Sequence, residues 1–184
     1  MLAAVLAFAA GQAGPAAVRA DDPAEASVST AIATCEAWVL RPETRTAGAD
    51  GFPAKAGLAD QLIARPSIPD AAMPPPSLRA SPHYWYIAAP SGGLFVSVSD
   101  TVRGCTVTGG AAVDLQPGVE AAIGNSAFRT HWQVAKDKHV GDMHSTRFAS
   151  TTDKHVWMLV SRADSADARR DRAQVAINIG YKAA

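Results

Sequence analysis

The sequence is poor in several informative residue types. Of its 184 residues only two are cysteines, aromatic residues make up 7% and charged residues 18%. Lysine and arginine together number 17, as do aspartate and glutamate, so the formal net charge is zero with histidine neutral. A neutral chain offers no excess of basic residues to displace counterions from phosphates. We therefore expect no nucleic-acid partner.

A long hydrophobic run is absent as well. The apolar stretch at residues 2–10 has nine residues, whereas a helix needs about 20 to cross the hydrocarbon core of a bilayer. Gly11, Gly14 and Pro15 then end any helix, and Val18 and Ala20 provide the small or aliphatic residues of a cleavage site. This layout predicts a signal peptide over residues 1–20, a periplasmic or secreted location, and no transmembrane segment after cleavage.

The two cysteines are Cys35 and Cys105. Cysteines in an exported chain usually pair, because the compartments outside the cytoplasm are oxidising. We therefore predict a disulfide between Cys35 and Cys105. The alternative is a pair of buried free thiols.

A helix is predicted directly after the signal peptide. Asp22 suits the N-cap, Pro23 suits the first helical position, and Pro42 disfavours helical geometry at the residue before it. The intervening apolar residues recur at helical spacing and form one stripe: Val28, Ile32, Cys35 and Val39.

Residues 41–82 contain eight of the twelve prolines and are interpreted as a connection that wraps around the domain. We predict a short helix inside this connection, between Pro53 and Arg65, with Leu58, Leu62 and Ile63 facing inward. Because the first helix has too little surface to form a core alone, residues 21–184 are expected to form a single domain.

From Tyr84 onward the hydrophobic period changes to two, which is typical of strands. The clearest strand is the last one, in which Val175, Ile177 and Ile179 share one face. A second short helix is predicted over residues 117–124. Helices followed by runs of short strands indicate an α+β fold. We expect the N-terminal helix and the proline-rich segment to pack on a mainly antiparallel sheet of about six to seven strands.

Histidines cluster between residues 131 and 155. A two-residue turn at Gly141 and Asp142 would place His139 opposite His144, and the same register places His131 opposite Thr152. His139 and His144 are a candidate metal site if Asp142 or another nearby carboxylate completes the ligand set. The alternative is a cross-strand pair on the surface.

An aromatic-rich strand follows the proline-rich segment. Strand alternation places Tyr84 and Tyr86 on one face and Trp85 on the other. All three are candidate ligand-binding residues, because aromatic rings provide stacking platforms for sugars or peptides. The alternative is that they only pack.

The sequence has no nucleophile-elbow motif and no complete phosphate-binding loop. The leading hypothesis is an exported, non-catalytic protein that binds a small ligand or an envelope protein and needs no cofactor. One alternative is a periplasmic metal-dependent or hydrolytic enzyme that uses His139, His144 and a nearby aspartate. The other is a purely structural component of the envelope.

Overall fold

The computed structural model describes residues 22–165 and 172–182. The predicted signal peptide at residues 1–20 lies outside this part of the chain. The helices are α1 (Pro23–Leu40), α2 (Gly48–Ala56), α3 (Gln116–Gly124) and α4 (Ser126–His131). The strands are β1 (Ile63–Arg65), β2 (Pro82–Ala89), β3 (Gly92–Ser99), β4 (Gly104–Ala111), β5 (Trp132–Val140), β6 (Met143–Ser150), β7 (Val156–Ala163) and β8 (Val175–Tyr181).

The eight strands of the described chain form one sheet in the order β1-β2-β3-β4-β8-β7-β6-β5. Every neighbouring pair is antiparallel. The α+β class and the N-terminal helix are therefore confirmed, and the sheet has one strand more than the six to seven predicted.

Helix α1 forms where the capping residues predict it. The Asp22 side chain accepts a hydrogen bond of 2.9 Å from the Ala24 backbone N–H, and Pro23 occupies the first position. This carboxylate satisfies one of the backbone donors that a helix N-terminus leaves unpaired. The predicted stripe is buried, with Val28, Ile32, Cys35 and Val39 each at most 5% exposed.

The helix predicted between Pro53 and Arg65 is wrong in its position. Helix α2 already ends at Ala56, because Gly57 adopts a left-handed conformation with φ of 75° and stops it. Leu58 and Leu62 are buried as predicted. Ile63, in contrast, is 50% exposed in β1, the additional edge strand, which pairs with β2.

Helix α1 packs on β2, β3, β4 and β8, and α3 packs on α1 and β7. We call the face of the sheet under these helices the inner face. Residues 66–81, which we call the proline strap, contact β3 and β4 on the opposite, outer face. The polar side chains of Ser97 and Thr106 are buried on this face, whereas Lys136 and Arg147 are exposed farther along it.

The β5–β6 hairpin keeps the predicted register only near its turn. His139 pairs with His144, but a bulge between Val134 and Lys136 shifts the pairing by one residue. Trp132 therefore lies opposite Ser150, and the predicted pair of His131 with Thr152 is wrong. A shift of one residue exchanges the two faces of a strand, so Trp132 is buried on the inner face.

Candidate functional site

The predicted disulfide is confirmed. Cys35 on α1 and Cys105 on β4 are bonded, with their Cα atoms 5.3 Å apart. Both residues are at most 1% exposed. Because these are the only cysteines of the sequence, this bond leaves no thiol for nucleophilic chemistry or metal binding.

Trp85 faces the core. It is 3% exposed, and its ring centroid lies 6.1 Å from that of Trp38 and 5.3 Å from that of Phe52. The strand alternation predicted for this segment is confirmed by this burial. A ligand on the surface has no access to the Trp85 indole in this arrangement.

Tyr84 and Tyr86 lie on the outer face near the β1 edge and are half-buried. The Tyr86 hydroxyl donates a hydrogen bond of 2.8 Å to the Gly92 carbonyl. The Arg65 guanidinium lies 5.2 Å from the centre of the Tyr86 ring. Neighbouring groups thus already engage this ring, and ligand binding by Tyr84, Trp85 and Tyr86 stays a prediction.

The hairpin brings the two predicted histidines together. Gly141 has a φ of 61°, which the tight turn requires and which glycine adopts without strain. The rings of His139 and His144 have their centroids 6.0 Å apart. Each imidazole bonds a different carboxylate: His144 Nε2 lies 2.7 Å from Asp137 Oδ2, and His139 Nε2 lies 2.9 Å from Asp164 Oδ2.

Asp142 lies in the turn, where its backbone carbonyl accepts a hydrogen bond of 3.0 Å from the Asp164 N–H. The carboxylates that bond the two imidazoles are thus those of Asp137 and Asp164. Within residues 22–165 and 172–182, no three or more His, Cys, Asp or Glu residues are grouped so that they could hold a metal ion. The metal site remains a prediction.

A buried arginine connects this hairpin to the helical layer. Arg162 is 3% exposed on β7, and its Nε donates a hydrogen bond of 2.7 Å to Glu120 Oε1 on α3. Its Nη1 donates to Thr146 Oγ1 at 2.7 Å, and the Thr146 hydroxyl in turn donates to Asp137 Oδ1. A buried guanidinium is tolerated because these acceptors replace the water that it loses.

This network also affects Asp137 electrostatically. The hydrogen bond from Thr146 and then that from His144 hold the pKa of the Asp137 carboxyl below its usual value. A carboxylate with a lowered pKa is a poor base for activating the Thr146 hydroxyl. The network is therefore better suited to positioning β5, β6 and β7 than to proton abstraction.

A second cluster, on the outer face, consists of cations. Lys136 on β5 lies directly opposite Arg147 on β6, and Lys154 and Lys182 come from the ends of β7 and β8. Together they line a cavity of about 350 Å³, which we call the cationic pocket. The small side chain of Ala149 also lines this cavity.

Neighbouring contacts hold the walls of the cationic pocket in place. The Arg147 guanidinium lies 5.7 Å from the centre of the Trp157 ring, an arrangement that favours a cation over an aromatic face. The Lys182 N–H donates to the His155 carbonyl at 2.8 Å, and the His155 N–H donates to Asp153 Oδ1 at 2.9 Å. These contacts restrain the segments that carry Arg147 and Lys182.

The cationic pocket is unbalanced in charge. Its lining includes Lys136, Arg147, Lys154 and Lys182 but no carboxylate. Among the described residues, none of the ion pairs involves any of these four cations. Sequence reasoning missed the pocket, although the hairpin register already implied the pairing of Lys136 with Arg147.

A second cavity adjoins the cationic pocket. It measures about 230 Å³, and Trp157 lines both cavities. The Trp157 indole lies over Gly180 on β8, where a Cβ atom would come within 2.7 Å of the ring. We call this second cavity the apolar cleft; its lining includes Pro75, Leu78, Val102, Arg103, Thr106 and Asn178.

No family model matches the chain, and comparisons with curated proteins and with solved structures found no match either. In the described part of the chain, none of the helices combines the length and the apolar character needed to span a bilayer.

Proposed function

We propose that this protein is an exported, non-catalytic binding protein whose ligand is a small anion held in the cationic pocket. The observation that carries the proposal is the composition of that pocket, which brings four cationic side chains and no carboxylate to one concavity. The pairs of His139 with Asp164 and of His144 with Asp137 belong to the inner face of the sheet and play no part in it.

Electrostatics supports an anionic ligand. Four like charges around one cavity repel each other, and a bound anion replaces this repulsion with attraction. The guanidinium of Arg147 offers two parallel donors to a phosphate or carboxylate group. Because Arg147 already rests on Trp157, less conformational entropy is lost when the ligand binds.

The shape of the site favours a small ligand over an envelope protein. A volume of about 350 Å³ lies within the range of ligand pockets, roughly 300–1,000 Å³. A protein partner generally needs a larger, flatter surface that buries about 800 Å² on each side.

The disulfide supports a location outside the cytoplasm. A bond between Cys35 and Cys105 persists in an oxidising compartment, whereas cytosolic reductants keep most thiols reduced. The predicted signal peptide at residues 1–20 points the same way. We propose the periplasm or the extracellular medium as its destination.

Isothermal titration calorimetry with inorganic pyrophosphate tests the proposal. At an ionic strength of about 0.01 M, where charges act over about 30 Å, we expect one saturable binding event. At about 1 M, where the screening length is about 3 Å, the affinity should fall at least tenfold. Absence of saturable binding at the low ionic strength would refute the proposal.

Matched variants locate the binding event. Arg147→Gln and Lys182→Gln each remove one charge from the cationic pocket, and each should weaken pyrophosphate binding about fivefold or more. Lys55→Gln removes an exposed charge from α2 and should leave the affinity unchanged. An equal loss in all three variants would show that only the overall charge matters, and it would contradict a site at this pocket.

A further inference from the structure

The two cavities that meet at Trp157 differ in character. The cationic pocket has four cations on its rim, whereas the lining of the apolar cleft includes Pro75, Leu78 and Val102 and contains a single charged residue, Arg103. Trp157 belongs to both linings. A molecule that occupies both cavities therefore passes over an aromatic side chain between a charged end and an apolar end.

The one cation of the apolar cleft is already engaged. The Nε of Arg103 donates a hydrogen bond of 2.7 Å to the Val39 carbonyl at the end of α1. Its guanidinium also lies 4.2 Å from the centre of the Tyr181 ring. These contacts already engage the guanidinium of Arg103, so the lining of the apolar cleft offers no free cation to a second anionic group.

The polar side chains of the apolar cleft satisfy each other. Thr106 Oγ1 donates a hydrogen bond of 2.9 Å to Asn178 Oδ1 across β4 and β8. Polar groups that are already hydrogen-bonded to each other need no hydrogen-bond partner on the ligand, whereas unpaired groups do. An apolar chain that covers them leaves this hydrogen bond intact.

We infer that the ligand is a single-chain amphiphilic anion, with its phosphate or carboxylate head in the cationic pocket and its hydrocarbon chain across Trp157 in the apolar cleft. The inference rests on the proposed function for the head group and adds the tail. It commits to a free, monomeric amphiphile, because the apolar cleft is a separate cavity of about 230 Å³ beside the charged one.

A homologous series of alkyl phosphates tests the inference. Calorimetry compares methyl, butyl, hexyl and octyl phosphate, each below the concentration at which it forms micelles. Each methylene group that leaves water should raise the affinity about fourfold, up to the length that fills the apolar cleft. An affinity independent of chain length, with pyrophosphate binding intact, would overturn the inference and leave the proposed function standing.

A pair of valine variants locates the tail. Val102 lines the apolar cleft and is 36% exposed, whereas Val113 lies outside the lining of both cavities and is 44% exposed. Val102→Asn should reduce the gain in affinity per methylene, and Val113→Asn should retain it. A gain that is equal in both variants would contradict placement of the chain in the apolar cleft.

Co-sedimentation with lipid vesicles tests whether the ligand is a free amphiphile or a lipid within a membrane. We expect no co-sedimentation with phosphatidylglycerol vesicles under conditions in which octyl phosphate binds. Binding to the vesicles without binding to monomeric octyl phosphate would overturn the inference. Failure of every phosphate, including pyrophosphate, would refute the proposed function together with it.

Discussion

Among single residues, Asp137 shows most directly how neighbours set a charge. Its carboxylate accepts hydrogen bonds from the Thr146 hydroxyl and from His144, and its side chain is 53% exposed. Both bonds favour the ionised carboxylate, which is why its pKa is lowered. Asp137 therefore links the hairpin to Arg162 by charge as well as by geometry.

The lowered pKa predicts how Asp137→Asn changes stability with pH. The unfolded chain binds the proton more tightly than the folded one, so the contribution of Asp137 is fully present well above the unfolded pKa of about 3.9. It disappears as the pH falls through the folded pKa, which is lowered by these hydrogen bonds. The variant should thus be less stable than wild type at about pH 5.5, and the gap should narrow towards about pH 3.

Urea unfolding followed by circular dichroism at the two pH values measures this gap. Because the side chain is half exposed, we expect a difference below about 1 kcal/mol at the higher pH. Asp60→Asn is the control, because Asp60 is an exposed carboxylate without an ion pair among the described residues. A difference in unfolding free energy between wild type and Asp137→Asn that grows as the pH falls would contradict a lowered pKa for Asp137.

Among the elements, β5 depends on its bulge at Ala135. Without the bulge, the register set by the pairing of His139 with His144 would continue to the start of β5. The Trp132 side chain would then point to the outer face. With the bulge, Trp132 is 2% exposed, and its indole N–H donates to Glu36 Oε1 at 2.5 Å. The extra residue therefore allows His139 to pair with His144 while the Trp132 side chain stays buried on the inner face.

Two length changes in β5 should have opposite consequences. Deleting Ala135 produces an uninterrupted ladder in which Trp132 still faces Ser150, so we expect a loss of stability below about 1.5 kcal/mol. Inserting one alanine between Gln133 and Val134 shifts the face of Trp132, and loss of its burial should cost about 3–5 kcal/mol. Urea unfolding measures both variants. A deletion as harmful as the insertion would contradict the register argument.

The hairpin also shows how far sequence reasoning reaches. The Gly141 turn fixed the local pairing, so the contact between His139 and His144 was predictable. The bulge was not, because Ala135 carries none of the glycine or proline signals that mark an irregular strand. In α2, by contrast, Gly57 was an available stop signal, and the predicted helix wrongly ran past it.

At the scale of the whole molecule, the balance of charges conceals an uneven distribution. Seventeen basic and seventeen acidic residues cancel, yet Lys136, Arg147, Lys154 and Lys182 meet at one cavity. They come from four separate stretches of the chain, and only the first two are joined by a hairpin. The pocket could therefore not be predicted from composition or local sequence pattern, because it depends on how β5 to β8 lie side by side.

The disulfide acts on the whole molecule, because it joins the helical layer to the sheet. Cys35 lies on α1 and Cys105 on β4, 70 residues apart in the chain. Both are at most 1% exposed within the core that the two layers share. A cross-link at this place restricts the unfolded chain and leaves the packed layers as they are.

Removal of this cross-link should lower stability substantially. For a loop of this length, the chain-entropy model gives a loss of about 4 kcal/mol in Cys35→Ala/Cys105→Ala. Urea unfolding of the variant and of reduced wild type measures the loss, and the two should agree because both lack the same constraint. A loss below about 1 kcal/mol would contradict this model. It would mean that packing between α1 and the sheet holds the layers together by itself.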